Sequence, residues 1–126
     1  MDEASNAIRT RVTRDVEPAA LADLRDAPPR ASVTFVDGGV VDVLPAKAQF
    51  AAGAYQFAVS VSVCPDLSHR EVVLVIDDGP YWFQLRGLSV RGIAAPAAGT
   101  AADGLAWYTI AVRRILAWDY GAIRAE

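Results

Sequence analysis

From residue 31 to residue 118 the apolar positions recur with a period near two, which is the repeat of a strand and not of a helix. Ser32-Val33-Thr34-Phe35-Val36 is rich in β-branched and aromatic residues, and the Asp37-Gly38-Gly39 that follows it is a hairpin signal. Residues 40–47 return as a second strand. Pro45 near its end belongs at an edge or a bulge, because proline has no N–H to give to the ladder. Residues 48–50 and 55–59 flank Ala51-Ala52-Gly53-Ala54, a second hairpin, and residues 60–69, broken by Pro65, read as a loop. Val72 to Ile76 is an unbroken apolar run, as in a strand buried on both faces, and Asp77-Asp78-Gly79-Pro80 turns the chain. A long strand over residues 81–93 follows, with Gly87 and Gly92 as bends or bulges that let a sheet curl. Residues 94–104 form a loop of small residues and 105–112 the last full strand. Arg113-Arg114 then marks a turn before a short strand over 115–118.

The period differs only near the N-terminus. Glu17-Pro18, with Leu21 and Leu24 three apart, predicts one short helix that Pro28-Pro29 ends. Residues 1–16 are polar and read as a frayed arm or a marginal helix, leaving 17–126 as a single domain. Six or more antiparallel strands with one short helix make an all-β chain. A small antiparallel barrel is the expected architecture, since closing the sheet removes a hydrophobic edge that a flat sheet would expose.

Composition narrows the function. At 126 residues, 53% apolar and 21% charged, the chain is one globular domain. Its net charge of -3 and scattered basic residues argue against nucleic acid or an anionic membrane as partner. Cys64 is the single cysteine, so no internal disulfide forms, and the only histidine, His69, lies five residues away in the expected loop. The acidic Met-Asp-Glu-Ala-Ser-Asn start is not a secretory signal, and no apolar run approaches the roughly 18 residues that span a bilayer. A cytoplasmic protein is expected.

The chemistry-bearing residues are few. One His, one Cys and no carboxylate pair at ligand spacing give no expected metal site, and Asp77-Asp78 reads as turn chemistry. No nucleophile elbow, phosphate-cradling glycine loop or dinucleotide fingerprint is present. If the chain is an enzyme, a cofactor is the source of reactivity, and the protein contributes binding and orientation.

The order of elements, the Val-Leu-Val-Ile-Asp-Asp-Gly hairpin, the strand Leu85-Arg86-Gly87-Leu88-Ser89-Val90-Arg91-Gly92 and the ending Arg-Arg-Ile-Leu-Ala-Trp118-Asp-Tyr-Gly together resemble the pyridoxamine 5'-phosphate oxidase-like split-barrel family over residues 26–124. That resemblance implies a split-barrel homodimer holding FMN or the deazaflavin F420 in grooves across its interface, and an oxidoreductase acting on a small molecule. It implies that the backbone of Val43, Leu44, Pro45 and Ala46 lies against the flavin ring, with Lys47 close by. Ser68 and Arg70, with His69, would hold the phosphate, and Trp118 and Arg124 would close the groove from the partner copy. Two departures stand against this pattern. Asp119 follows Trp118 where the oxidases usually have glutamine, and the segment between Val59 and Glu71 is short, with one full positive charge where cofactor-binding members carry a cluster. A cofactor-free barrel dimer serving as a ligand-binding or assembly module is therefore the second expectation. Each candidate also has an ordinary reading: Trp118 as an interface or core aromatic, Arg124 as a tail charge and Lys47 as an exposed strand residue. Trp82 and Trp107 read as core or interface, and strand parity sends Arg86 and Arg91 to opposite faces.

Overall fold

Both hairpin signals fold as two-residue turns whose central residues have positive φ: Gly38 and Gly39 in the first, Ala52 and Gly53 in the second. They join strands β2 (Arg30–Asp37), β3 (Val40–Ala51) and β4 (Ala54–Ser60). Three longer strands complete the wall: β5 (Glu71–Asp78), β6 (Arg86–Pro96) and β7 (Leu105–Asp119). This is a computed structural model, and it describes residues 15–79, 81, 85–97 and 104–120. A two-residue strand β1 (Asp15–Val16) precedes a 3-10 turn (Pro18–Leu21) that runs into the short helix α1 (Ala22–Asp26). The sheet order is β1-β7-β4-β3-β2-β5-β6, and β6 pairs with β7 as well. Strands β2 to β7 therefore close into an antiparallel barrel, with β1 appended to it.

Alternation places the core. Val33 and Phe35, Tyr55, Phe57 and Val59, Val72, Leu74 and Ile76, and Leu88 and Val90 all point inward and are buried. Leu21 and Leu24 close one end of the barrel, each 2% exposed. Arg86 stands at the mouth beneath them. It donates to Asp23 of α1 at 2.8 Å and to Asp78 of β5 at 2.9 Å, tying the helix to the wall. Arg91 lies on the outer face and holds Glu71, so the parity reading of the two arginines agrees with the structure. Among the described residues, no helix is long and apolar enough to cross a membrane.

The structure corrects several boundaries. β5 is not buried on both faces: Val72, Leu74 and Ile76 are buried while Val73 and Val75 are only half-buried, because a closed antiparallel wall has one inner face. Residues 40–50 form one continuous strand, and β6 runs on to Pro96, into the expected loop. Tyr81 sits in a bend, with β6 starting only at Arg86; Trp82 lies outside the described residues. Asp15 and Val16, at the end of the expected arm, pair with Trp118 and Ala117. Arg113-Arg114 is no turn. It lies inside β7, where the register against β6 slips: Arg91 faces Arg114, but Gly92 faces Val112. Arg113 is the extra residue of a β-bulge, and a bulge bends a strand without ending it.

Candidate functional site at the split in the barrel wall

β3 has two partners in succession. Val40 to Ala46 pair only with β2, and Lys47 to Ala51 pair only with β4. The wall opens where one ladder stops and the other begins, and a groove of 420 Å³ lies there. Pro28, Pro29 and Arg30 at the start of β2 form one side, Lys47 and Gln49 of β3 another, and Trp107 of β7 closes the far rim. The two prolines that stop the helix hold the first side extended.

Register fixes the relation of Lys47 to Trp107. Lys47 faces Ala58 and Ala58 faces Trp107, so the three form one row on the outer surface. Ala58 is only 1% exposed although its place in the strand points outward, between two larger neighbours in that row. Arg30 is occupied: it pairs with Asp77 and donates to the Gly79 carbonyl at 2.9 Å. Lys47 has no hydrogen bond or ion pair among the described residues. Among the described residues that line this groove, it is the cation without a partner.

The segment Val43-Leu44-Pro45-Ala46 lies just upstream of the split. Leu44 and Ala46 pack against the core, while Val43 and Pro45 face outward. Pro45 pairs with Ser32 on one side and has no β4 partner on the other, which is the edge environment its missing N–H requires. Along this half of β3, alternate peptide groups point away from β2 with no ladder to enter, so they can hydrogen-bond to a flat, polar-edged ligand.

The remaining expected residues lie elsewhere. Ser68 donates its hydroxyl to Asp66 at 2.6 Å and its backbone N–H to the same oxygen at 2.9 Å. These bonds hold the Asp66 carboxyl below its ordinary pKa. The Tyr108 hydroxyl accepts from the Leu67 N–H at 3.1 Å and reaches Asp66 at 3.3 Å, fastening the loop to the core. Arg70 pairs with Asp37 at 3.4 Å. It borders a second, shallow groove of 330 Å³ floored by Val36, Val41 and Val73. Val41 is six residues from Lys47, about 20 Å along an extended strand. The indole of Trp118 lies against Gly87, where a Cβ would come within 2.1 Å of Cζ2. Trp118 shares β7 with Trp107 but lies 11 residues further along, about 36 Å of extended strand. Arg124 lies outside the described residues. Cys64 is half-buried beside the core, and burial pushes its thiol up, away from the reactive thiolate.

Sequence reasoning did not place Arg30 and Trp107 at the groove. Trp107 is a large aromatic inside a strand, but the row joining it to Lys47 depends on a long-range register.

No protein-family model and no curated protein matches the sequence. Solved structures do match. An FAD-binding protein from Mycobacterium smegmatis superposes with a TM-score of 0.65 at 13% identity, over 83% of this chain and 98% of that one. A candidate pyridoxamine 5'-phosphate oxidase from Corynebacterium glutamicum gives 0.61 at 12% identity, over 82% and 89%. The flavocytochrome Anf3 from Azotobacter vinelandii gives 0.61 at 13%, over 82% and 67%. The chain has the split-barrel fold. Its structural neighbours are flavin-binding and pyridoxamine 5'-phosphate oxidase-like proteins, in agreement with the resemblance drawn from its sequence. At these identities the likeness concerns the architecture, and the split barrel's function is argued from its own residues.

Proposed function

We propose that this split barrel is a homodimer that binds a flavin or the deazaflavin F420 at the opening in its wall and acts as an oxidoreductase on a small molecule. The observation that carries the reading is the split itself: an open strand edge, an unpaired Lys47 and the ring of Trp107 meet in one 420 Å³ groove. Flavin-binding neighbours of the same fold support it. When bound, the cofactor supplies hydride exchange at its ring. Peptide groups of residues 43–46 orient the ring edge, Lys47 draws electron density toward that edge, and Trp107 excludes water from one side. Trp118 and Arg124 of the partner subunit close the groove in the assembly that the resemblance implies.

The dimer has its own support. Val36, Val41 and Val43 are 56 to 63% exposed on one face of the β2–β3 ribbon, an apolar surface of the kind that marks an interface. One finding favours the cofactor-free alternative: Asp66 and Asp37 occupy Ser68 and Arg70, the residues expected to grip a phosphate.

Titration of the purified protein with FMN, FAD and F420, followed by ligand fluorescence alongside sedimentation velocity, separates the readings. The expected result is a dimer that binds one of them saturably, with Lys47→Ala about tenfold weaker, as for loss of one charged hydrogen bond. A dimer that binds none supports the cofactor-free module, and a monomer that binds none removes both readings.

A further inference from the structure

The bulge in β7 does more than bend the strand. In a regular pleat Arg113 and Arg114 would point to opposite faces. Here Val112 and Ile115 stand opposite Gly92 and Val90 and line one groove with Ile110, so the two exposed arginines between them share the other face. Arg114 stands directly across the ladder from Arg91. Arg91 donates to Glu71 Oε1 from Nε at 3.1 Å and from Nη2 at 2.8 Å, and Arg113 reaches Glu71 Oε2 at 3.5 Å. Arg114 has no hydrogen bond or ion pair among the described residues. Two guanidinium groups thus meet one carboxylate and a third, that of Arg114, stands across the ladder from Arg91, leaving two positive charges in excess on a chain whose net charge is -3.

Like charges directly opposed across a ladder are destabilising, and a bulge placed so as to bring a third beside them adds to that cost. An anion relieves it. We infer that Arg91, Arg113 and Arg114 form a binding site for a phosphoryl group, a dianion whose charge of about -1.5 to -2 at neutral pH matches the excess. Directly opposed residues stand about 5 Å apart at Cβ, a span that lets two planar guanidinium forks share one tetrahedral oxyanion. Glu71 already shows an oxyanion in this place, since Arg91 donates twice to its Oε1 and Arg113 reaches its Oε2. The site goes beyond the cofactor groove, which lies at the opposite end of β3 from Glu71 and its neighbours Val36 and Val41.

The test is calorimetric titration with inorganic phosphate at ionic strength held constant with chloride. Saturable binding is expected, about tenfold weaker in Arg113→Gln and in Arg114→Gln, and unchanged in Arg25→Gln, an exposed arginine elsewhere. Glu71→Gln should bind phosphate more tightly than the natural protein, because it removes the competing carboxylate; a purely structural role for the cluster predicts no gain. Phosphate should also raise Tm in the natural protein and not in the Arg113→Gln/Arg114→Gln double variant. Comparing FMN with riboflavin identifies the source. If Arg114→Gln erases the preference for FMN, the phosphoryl group belongs to the cofactor. If the preference survives while phosphate binding is lost, the group belongs to a separate phosphorylated small molecule. Absence of saturable phosphate binding, or equal affinity in the double variant, overturns the inference. So does a double variant that keeps phosphate affinity but loses the dimer, which would assign the arginines to protein–protein contact.

Discussion

Two valine-rich stretches of the same sheet meet opposite fates. In β5 the residues Val72, Leu74 and Ile76 are at most 1% exposed, whereas in the first half of β3 Val40, Val41 and Val43 are about 60% exposed. Propensity does not distinguish them, since both are β-branched and both form strands. Neighbours do. β5 is paired on both sides, by β2 and β6, and its inner face looks into the barrel. The first half of β3 is paired on one side only and leaves the barrel as a ribbon. An apolar residue is buried by what lies across from it, and among the described residues nothing covers the valines of the ribbon.

The sharpest way to break this comparison is to substitute residues in each stretch. Leu74→Ala removes packing from a fully buried site and should cost about 2–5 kcal/mol in urea unfolding. The pair Val41→Lys/Val43→Lys touches only exposed positions and should leave the isolated fold within about 0.5 kcal/mol of the natural one. It should instead halve the mass in sedimentation, if the ribbon carries the proposed dimer. Two lysines that destabilise the monomer as much as the leucine truncation would show that the ribbon packs on its own chain.

The same contrast explains what could be read from the sequence. Elements with local signals were legible: both hairpin turns, the short helix with its two leucines, and the alternation through β2 and β5. Legibility failed wherever a long-range partner decides. The extent of β3 depends on its exchange of β2 for β4, and no local pattern encodes that exchange. Arg113-Arg114 reads as a turn because two adjacent charges break alternation, yet inside a paired strand the same break is a bulge. Of the candidate site, Lys47 and its upstream segment were legible through resemblance. Trp107 and Arg30 were not, because register and the path of the chain after Pro29 bring them there. The hydrogen bond from Ser68 to Asp66 was hidden for the opposite reason: a short serine–aspartate contact is local, but the resemblance directed that serine to a phosphate.

A smaller effect is expected where the closed wall carries Trp118. Gly87→Ala puts a methyl group within 2.1 Å of the indole of Trp118, which stands directly across the ladder. Overpacking of this kind costs about 1–3 kcal/mol. Adding Trp118→Ala should recover part of that loss, a non-additivity that thermal unfolding of the single and double variants measures. Strict additivity would mean that the ring does not rest on Gly87. The ribbon contains no such close approach.

Smaller again is the acid response of the ion network that joins α1 to the closed wall. Hydrogen bonds from Arg86 hold the Asp23 and Asp78 carboxyls below their ordinary pKa in the folded state. Stability from such depressed groups is fully present above the unfolded carboxylate value, near 4, and is lost as pH falls through the lower folded values. Arg86→Gln should therefore lower Tm at pH 6, with the difference from the natural protein shrinking below about pH 4. A difference that stays constant to the lowest pH would assign the effect to packing of the arginine stem and not to its charge.

The two ends of β3 offer the finest comparison, because they turn the chain in the same way with different residues. Gly38 and Gly39 make the turn at the ribbon tip with φ of 59° and 81°, while Ala52 and Gly53 make the turn at the barrel end with φ of 53° and 74°. A left-handed conformation costs a residue with a Cβ about 1 kcal/mol, and glycine adopts it freely. Added Cβ atoms at Gly38 and Gly39 would meet nothing within 4 Å, so contacts do not cloud the test. Ala52→Gly should raise stability by up to about 1 kcal/mol, and Gly38→Ala should lower it by a similar amount. Both shifts are read from the urea midpoint at unchanged slope. The signs oppose although the turns match, because one turn already has the residue its backbone favours. If the loss at Gly38 were much smaller than the gain at Ala52, the ribbon tip would be loosening its turn to escape the strain. That freedom follows from a strand half paired on one side only, and the barrel end, held by β4, does not share it.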